Sequence, residues 1–96
     1  MNRKDYLDNL DTFIHEPESV GFTNDIIPVA MWLRGYIPGS DDNALSNMTT
    51  DAIRMRLCGI VDVGLNDIAR LMVLNGYSIS RDRDNPEWLM VPIDGD

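Results

Sequence analysis

Residues 65–93, LNDIARLMVLNGYSISRDRDNPEWLMVPI, constrain the fold more than any other stretch of this chain. Leu65, Ile68, Ala69 and Met72 recur at helical spacing and form the expected inner face of a helix over about 66–75. Asn66 is its expected N-cap, and Asp67 stands at the positive end of its dipole. Asn75 and Gly76 stop the helix, because glycine enters the left-handed conformation without a Cβ penalty. Tyr77, Ile79 and Arg81 then alternate with Ser78 and Ser80. After a polar turn, Trp88, Met90 and Pro92 alternate with Leu89 and Val91. Two runs of period two joined by a polar turn predict a hairpin.

Three helical segments precede this stretch. In the first, residues 4–15, Tyr6, Leu10, Phe13 and Ile14 share a face. Pro17 ends it, since the residue before proline avoids the helical region. The second runs over 24–34, with Thr23 or Asn24 as cap and Pro28 tolerable in the first turn. Ile26, Ile27, Val29, Ala30, Met31, Trp32 and Leu33 leave it almost no polar face, so it is either central to the core or covered by a partner. Residues 35–43 carry turn chemistry and read as a loop, with a short helical turn at 44–47. Thr49 or Thr50 caps a third helix over 51–60, with Ile53, Leu57 and Ile60 inward.

The expected fold is therefore mainly α with a C-terminal β-hairpin. It is winged-helix-like: a helix-turn-helix followed by a wing. One domain spans 1–96, with an N-terminal helix and loop (1–22), a helical core (23–76) and a hairpin wing (77–93). The expected core is Leu10, Phe13, Ile27, Ala30, Leu33, Ile53, Leu57, Ile68, Met72 and Trp88, with Trp88 opposite the fourth helix.

Nothing in the chain has the spacing of a catalytic or metal site. The single histidine, His15, ends the first helix, where a cationic side chain complements the dipole. The single cysteine, Cys58, lies among apolar residues and is expected to be buried and inert. One Cys and one His cannot build a structural zinc site. Residues 82–87 lack the glycine of a calcium loop and place Pro86 where a ligand is wanted. The expectation is a protein that is not an enzyme and has no cofactor. No secretory signal opens the chain, and no apolar run approaches the ~18 residues of a membrane span. A cytoplasmic protein with no membrane partner is expected.

Charge leaves two partner classes open. Sixteen acidic residues against eight basic ones give a net charge of −8, which opposes nonspecific binding to phosphate backbones. The distribution is uneven. Residues 54–83 hold five arginines and three aspartates, a local +2. Met55, Gly59, Leu65 and Ile68 fit helix-turn-helix spacing. A unit of this kind lays its second helix in the major groove. Asn66 and Arg70 would then reach base edges, while Arg54, Arg56, Arg81 and Arg83 contact phosphates. Against this, Asp67 can pair with Arg70, and Asp82 and Asp84 flank Arg83. The alternative is an acidic adaptor that meets a protein partner, or a second copy, through the apolar second helix.

Residues 45–50 (LSNMTT), 53–57 (IRMRL), 74–77 (LNGY) and 81–91 resemble a known pattern. The pattern is a polar cap, a short helix, a Gly-aromatic helix end, a basic strand and a last strand with an aromatic. It is similar to the small C-terminal winged-helix domain of virulence-associated and phage-type primase-helicase proteins, especially from Bacteroides-like bacteria. The resemblance covers about half the chain and implies a non-catalytic module acting in replication, transcription control or a mobile element. The segment between the cap and the Gly-aromatic pair is longer here than in that family, and the wing is less basic.

Overall fold

The computed structural model describes residues 3–40, 47–60, 62–80 and 86–93. Among them are four α-helices and two short strands. In chain order these are α1 (Arg3–His15), α2 (Ile27–Leu33), β1 (Tyr36–Pro38), α3 (Thr50–Leu57), α4 (Leu65–Leu74) and β2 (Met90–Pro92). Two 3-10 turns, Pro17–Val20 and Asn24–Ile26, carry the chain from α1 into α2. The expected turn at 44–47 falls mostly outside the described residues.

α1 buries Tyr6, Leu10 and Phe13 against the rest of the core, as its periodicity requires. α2 is shorter than its apolar run because Asn24–Ile26 winds as a 3-10 turn first, leaving Pro28 in the first α-turn. That turn directs Ile26 into the core and leaves Ile27 half-buried, the one departure from the expected core set. Val29, Ala30 and Leu33 are also buried, so the second helix is central to the core. Its exposed apolar residue is Met31. Trp32 packs on Tyr36, ring centroids 4.9 Å apart.

α3 starts at Thr50 because the Thr49 hydroxyl accepts the Ala52 N–H at 3.0 Å. It ends at Leu57, earlier than its apolar pattern suggested. Ile53 and Leu57 face inward, but Cys58 and Ile60 lie in the following turn and are exposed. The expectation of a buried Cys58 is thereby corrected: its apolar neighbours are in sequence and not in space. α4 begins one residue early, at Leu65, with Gly64 in the capping position. Asn66 is thus inside the first turn and caps nothing. Ile68, Leu71 and Met72 form the buried face, whereas Leu65 is 42% exposed.

The sheet adds an unexpected partner to the C-terminal pairing. The partner of β2 is β1, from the stretch expected to be loop, paired antiparallel with Ile37 opposite Val91. Gly39 donates to Leu89 O at 3.0 Å and Ile93 donates to Gly35 O at 2.8 Å. Antiparallel ladders alternate hydrogen-bonded and non-bonded pairs, so Pro38 and Pro92 fall at the non-bonded positions. Their missing N–H groups interrupt nothing there, which lets two prolines sit in strands. The expected contact between the two C-terminal runs survives as one antiparallel bridge, Ile79 with Trp88. Ser80 donates to Glu87 O and Leu89 to Ser78 O, both at 2.9 Å. The turn that would join them, with Arg81 and Arg83, lies outside the described residues. On its other edge Trp88 bridges Met48, and its indole N–H reaches Thr50 Oγ1 at 2.9 Å. Trp88 thus anchors to the start of α3.

The end of α4 ties the layers together. Gly76, at φ 86°, lets its own N–H reach Val73 O and the Tyr77 N–H reach Met72 O. Asn75 is fully buried: its amide donates to Leu71 O at 2.7 Å and its Oδ1 accepts from Asn9 of α1 at 2.9 Å. Tyr77 then meets Tyr6, hydroxyl to hydroxyl at 2.5 Å. Tyr6 donates its only O–H proton to Leu33 O at 2.8 Å, so Tyr77 must be the donor between the two phenols. Burial raises both phenol pKa values above the ordinary value; at Tyr77 the adjacent Tyr6 adds to the effect.

Two outcomes are expected. Gly76→Ala should cost on the order of 1 kcal/mol in urea denaturation, since alanine must hold a left-handed backbone. A phenol whose folded pKa is raised contributes stability that is intact below the unfolded value of about 10 and is lost as pH climbs toward the folded value. In a Tyr36→Phe background, phenolate absorbance from Tyr6 and Tyr77 should therefore appear only together with loss of helical circular dichroism. Phenolate formation by a still-helical protein would contradict the buried pair.

Candidate functional site

α4 presents two opposite faces. At roughly 100° per residue, Ile68, Leu71, Met72 and Asn75 cluster on one side of the helix. Asn66, Ala69, Arg70, Val73 and Leu74 occupy the other within an arc of roughly 140°. The second set is the outward face. Val73 is 60% exposed and Leu74 49%, and with Ala69 and Arg70 they line a shallow groove. This surface is the expected nucleic-acid contact helix, but most of it is hydrocarbon.

The arginines expected to bind nucleic acid have separate fates. Arg70 lines the groove and reaches from it to Phe22. Its guanidinium stands 4.6 Å from the Phe22 ring centroid, beside Gly21, and pairs with Asp67 at 3.5 Å. Three residues along one helix suffice to bring Asp67 and Arg70 together. Arg54 pairs with Asp51 of its own helix in the same way, at 3.9 Å. Arg54 also lines the seam of α3 and α4 with Leu57, Val63 and Ile68. Arg56 is exposed, and among the described residues no carboxylate lies within ion-pair distance of it. Asn66 is exposed one turn before Arg70. The structure therefore puts Asn66 and Arg70 on one face, as expected, and gives both Arg54 and Arg70 an aspartate partner.

Val73 and Leu74 were absent from the expected site, although a signal existed. Residues 71–74 read Leu-Met-Val-Leu, and a helix cannot turn four consecutive apolar residues to one side. Leu71 and Met72 face the core, so Val73 and Leu74 cannot.

α1 meets the end of α4 beside this groove. Asn9 donates to Leu74 O at 3.2 Å and to Asn75, while Phe13, one turn later, packs edge-on against Phe22, which Arg70 covers. α1 and α4 thus run in opposite senses along this surface. Asp5 and Asp8 of α1 are exposed. Asp11 pairs with Arg34, after α2, at 2.5 Å.

Among the described residues no group of three or more His, Cys, Asp or Glu is placed to hold a metal ion. His15 is exposed at the end of α1. No described helix is long and apolar enough to cross a membrane. No family model matches the chain, and neither a curated protein nor a solved structure matches it significantly.

An exposed cation–π contact contributes about 0.5–1 kcal/mol and an exposed ion pair about 0–1 kcal/mol. Arg70→Ala should accordingly lower stability by about 1 kcal/mol in chemical denaturation, and Arg56→Ala should change it by less than about 0.5 kcal/mol. Equal effects would mean that Arg70 does not rest on Phe22.

Proposed function

We propose that this chain is a non-catalytic winged-helix module that docks a protein through the outward face of α4. The winged-helix reading is supported by the order α3, α4, Gly76 stop, then two antiparallel runs that meet at Ile79 and Trp88. β1 adds a third run to the same central segment. Fold alone does not choose between DNA and protein as partner. The observation that carries the docking reading is the chemistry of the α4 face. Val73 and Leu74 offer apolar surface on it, and Arg70 is held by Asp67 and Phe22. Interface centres are depleted in charge and enriched in apolar side chains, whereas a major-groove reader needs free donors and acceptors.

A second reading, DNA contact through Asn66, Arg70 and Arg56, is favoured by Arg56 alone, which has no described acidic partner. Fluorescence anisotropy against duplex DNA at low salt separates the two. The docking reading expects no binding there. It also expects the uncharged dye Nile red to brighten on the native protein, with that signal reduced in Val73→Asp. DNA binding that falls steeply with salt and disappears in Arg56→Ala would replace docking with the second reading.

A further inference from the structure

Asn75 and Gly76 form the only Asn-Gly pair in the chain; the other seven asparagines precede Arg, Leu, Asp, Ala, Met, Asp and Pro. An asparagine side chain can be attacked by the amide nitrogen of the next residue. A glycine there leaves that nitrogen unshielded and the backbone around it free to bend. Yet the fold requires this glycine, because Gly76 closes α4 at φ 86°. The native geometry holds the pair unreactive. Asn75 is fully buried; its amide donates to Leu71 O at 2.7 Å and its Oδ1 accepts from Asn9 at 2.9 Å. The attacking group would be the Gly76 N–H, which donates to Val73 O at 3.0 Å. Asn75 stands at φ −99°, ψ 13°. Bringing Gly76 N onto its side chain requires rotation about the Asn75 Cα–C bond. That rotation would release the Gly76 cap and the Tyr77 N–H bond to Met72 O.

We infer that Asn75 is a deamidation site that folding closes and unfolding opens. In the unfolded chain the Gly76 nitrogen gives its proton to solvent base and attacks Asn75 Cγ. The bond from Cγ to the side-chain nitrogen breaks, ammonia leaves and a succinimide ring closes. Water then opens the ring at either carbonyl and leaves an aspartate or an isoaspartyl link; no oxidant or reductant takes part. Neither product fits the junction. Aspartate has no N–H for Leu71 O and brings a charge to a buried position. An isoaspartyl link adds a carbon to the backbone and moves Tyr77 out of register with Tyr6. A chain left unfolded is thereby converted, irreversibly, into one that cannot rebuild the contact of α1 with the end of α4. This holds whichever partner α4 meets.

The test incubates the intact chain at mildly alkaline pH, in buffer and in guanidinium chloride, with a reductant keeping Cys58 a thiol. Peptide mass spectrometry reads conversion at residue 75, and circular dichroism after removal of denaturant reads refolding. Conversion in buffer should be at least about a hundredfold slower than in denaturant, because about one folded molecule in a thousand or fewer is open at any instant. The converted fraction should not regain the helical signal, whereas a briefly denatured sample should. Gly76→Ala, whose methyl group shields the nitrogen, should convert more slowly in denaturant. Asn75→Asp, one product made directly, should have a lower denaturation midpoint than the parent. Equal conversion in buffer and denaturant, or conversion in neither, would overturn the inference. So would converted chains or Asn75→Asp with the midpoint of the parent, or loss of refolding in the briefly denatured sample as well.

Discussion

The hydrogen-bonded junction at Asn75, Gly76 and Tyr77 holds the layers of this protein in place. Asn75 closes α4 and accepts from Asn9 of α1. Gly76 turns the chain, and Tyr77 donates to Tyr6, which donates to Leu33 at the end of α2. Two hydrogen-bonded sets, Asn9 with Asn75 and Tyr77 with Tyr6 and Leu33, thus tie together α1, α2 and the end of α4. An unmatched polar atom at such depth costs about 1–3 kcal/mol, so the network specifies one arrangement of α1, α2 and α4. The same junction aims residues 78–80 at the segment around Trp88.

That arrangement determines which side of α4 meets solvent. With Asn75 locked inward, Ile68, Leu71 and Met72 must follow it, and Val73 and Leu74 must point out. The outward face is therefore a consequence of the network. Arg70 lines this strip with its guanidinium held at Phe22 and Asp67. On the proposed docking reading, this strip is the contact surface of α4.

Much of the helical architecture was legible in the sequence because its signals are local. The i, i+4, i+7 spacing of Tyr6, Leu10 and Phe13, the Thr49 cap and the Gly76 stop each act within a few residues. The strand pairing was less legible. The β1 run reads Tyr-Ile-Pro and is followed by Gly39 and Ser40, so its turn residues masked a strand whose proline fits only because β2 meets it in the right register. Cys58 and Ile60 mislead for a related reason. Their apolar neighbours suggest burial, but α3 stops at Leu57, and the turn carries both outward. In the candidate site, Asn66 and Arg70 could be placed on one face by counting residues. That Arg70 lies over Phe22 could not, since 48 positions separate them.

By itself, the sequence determined a mainly helical chain with its helix breaks, an excess of negative charge, and a core built on residues such as Leu10, Leu33, Ile53 and Met72. These follow from periodicity, capping and composition, which operate over one or two turns of chain. Tertiary structure alone decided the partner of β2, the tethering of Arg70 and the exposure of Val73 and Leu74. Each of these depends on distant segments meeting in one geometry, and such meetings are set by packing and by buried hydrogen bonds between residues far apart in the chain.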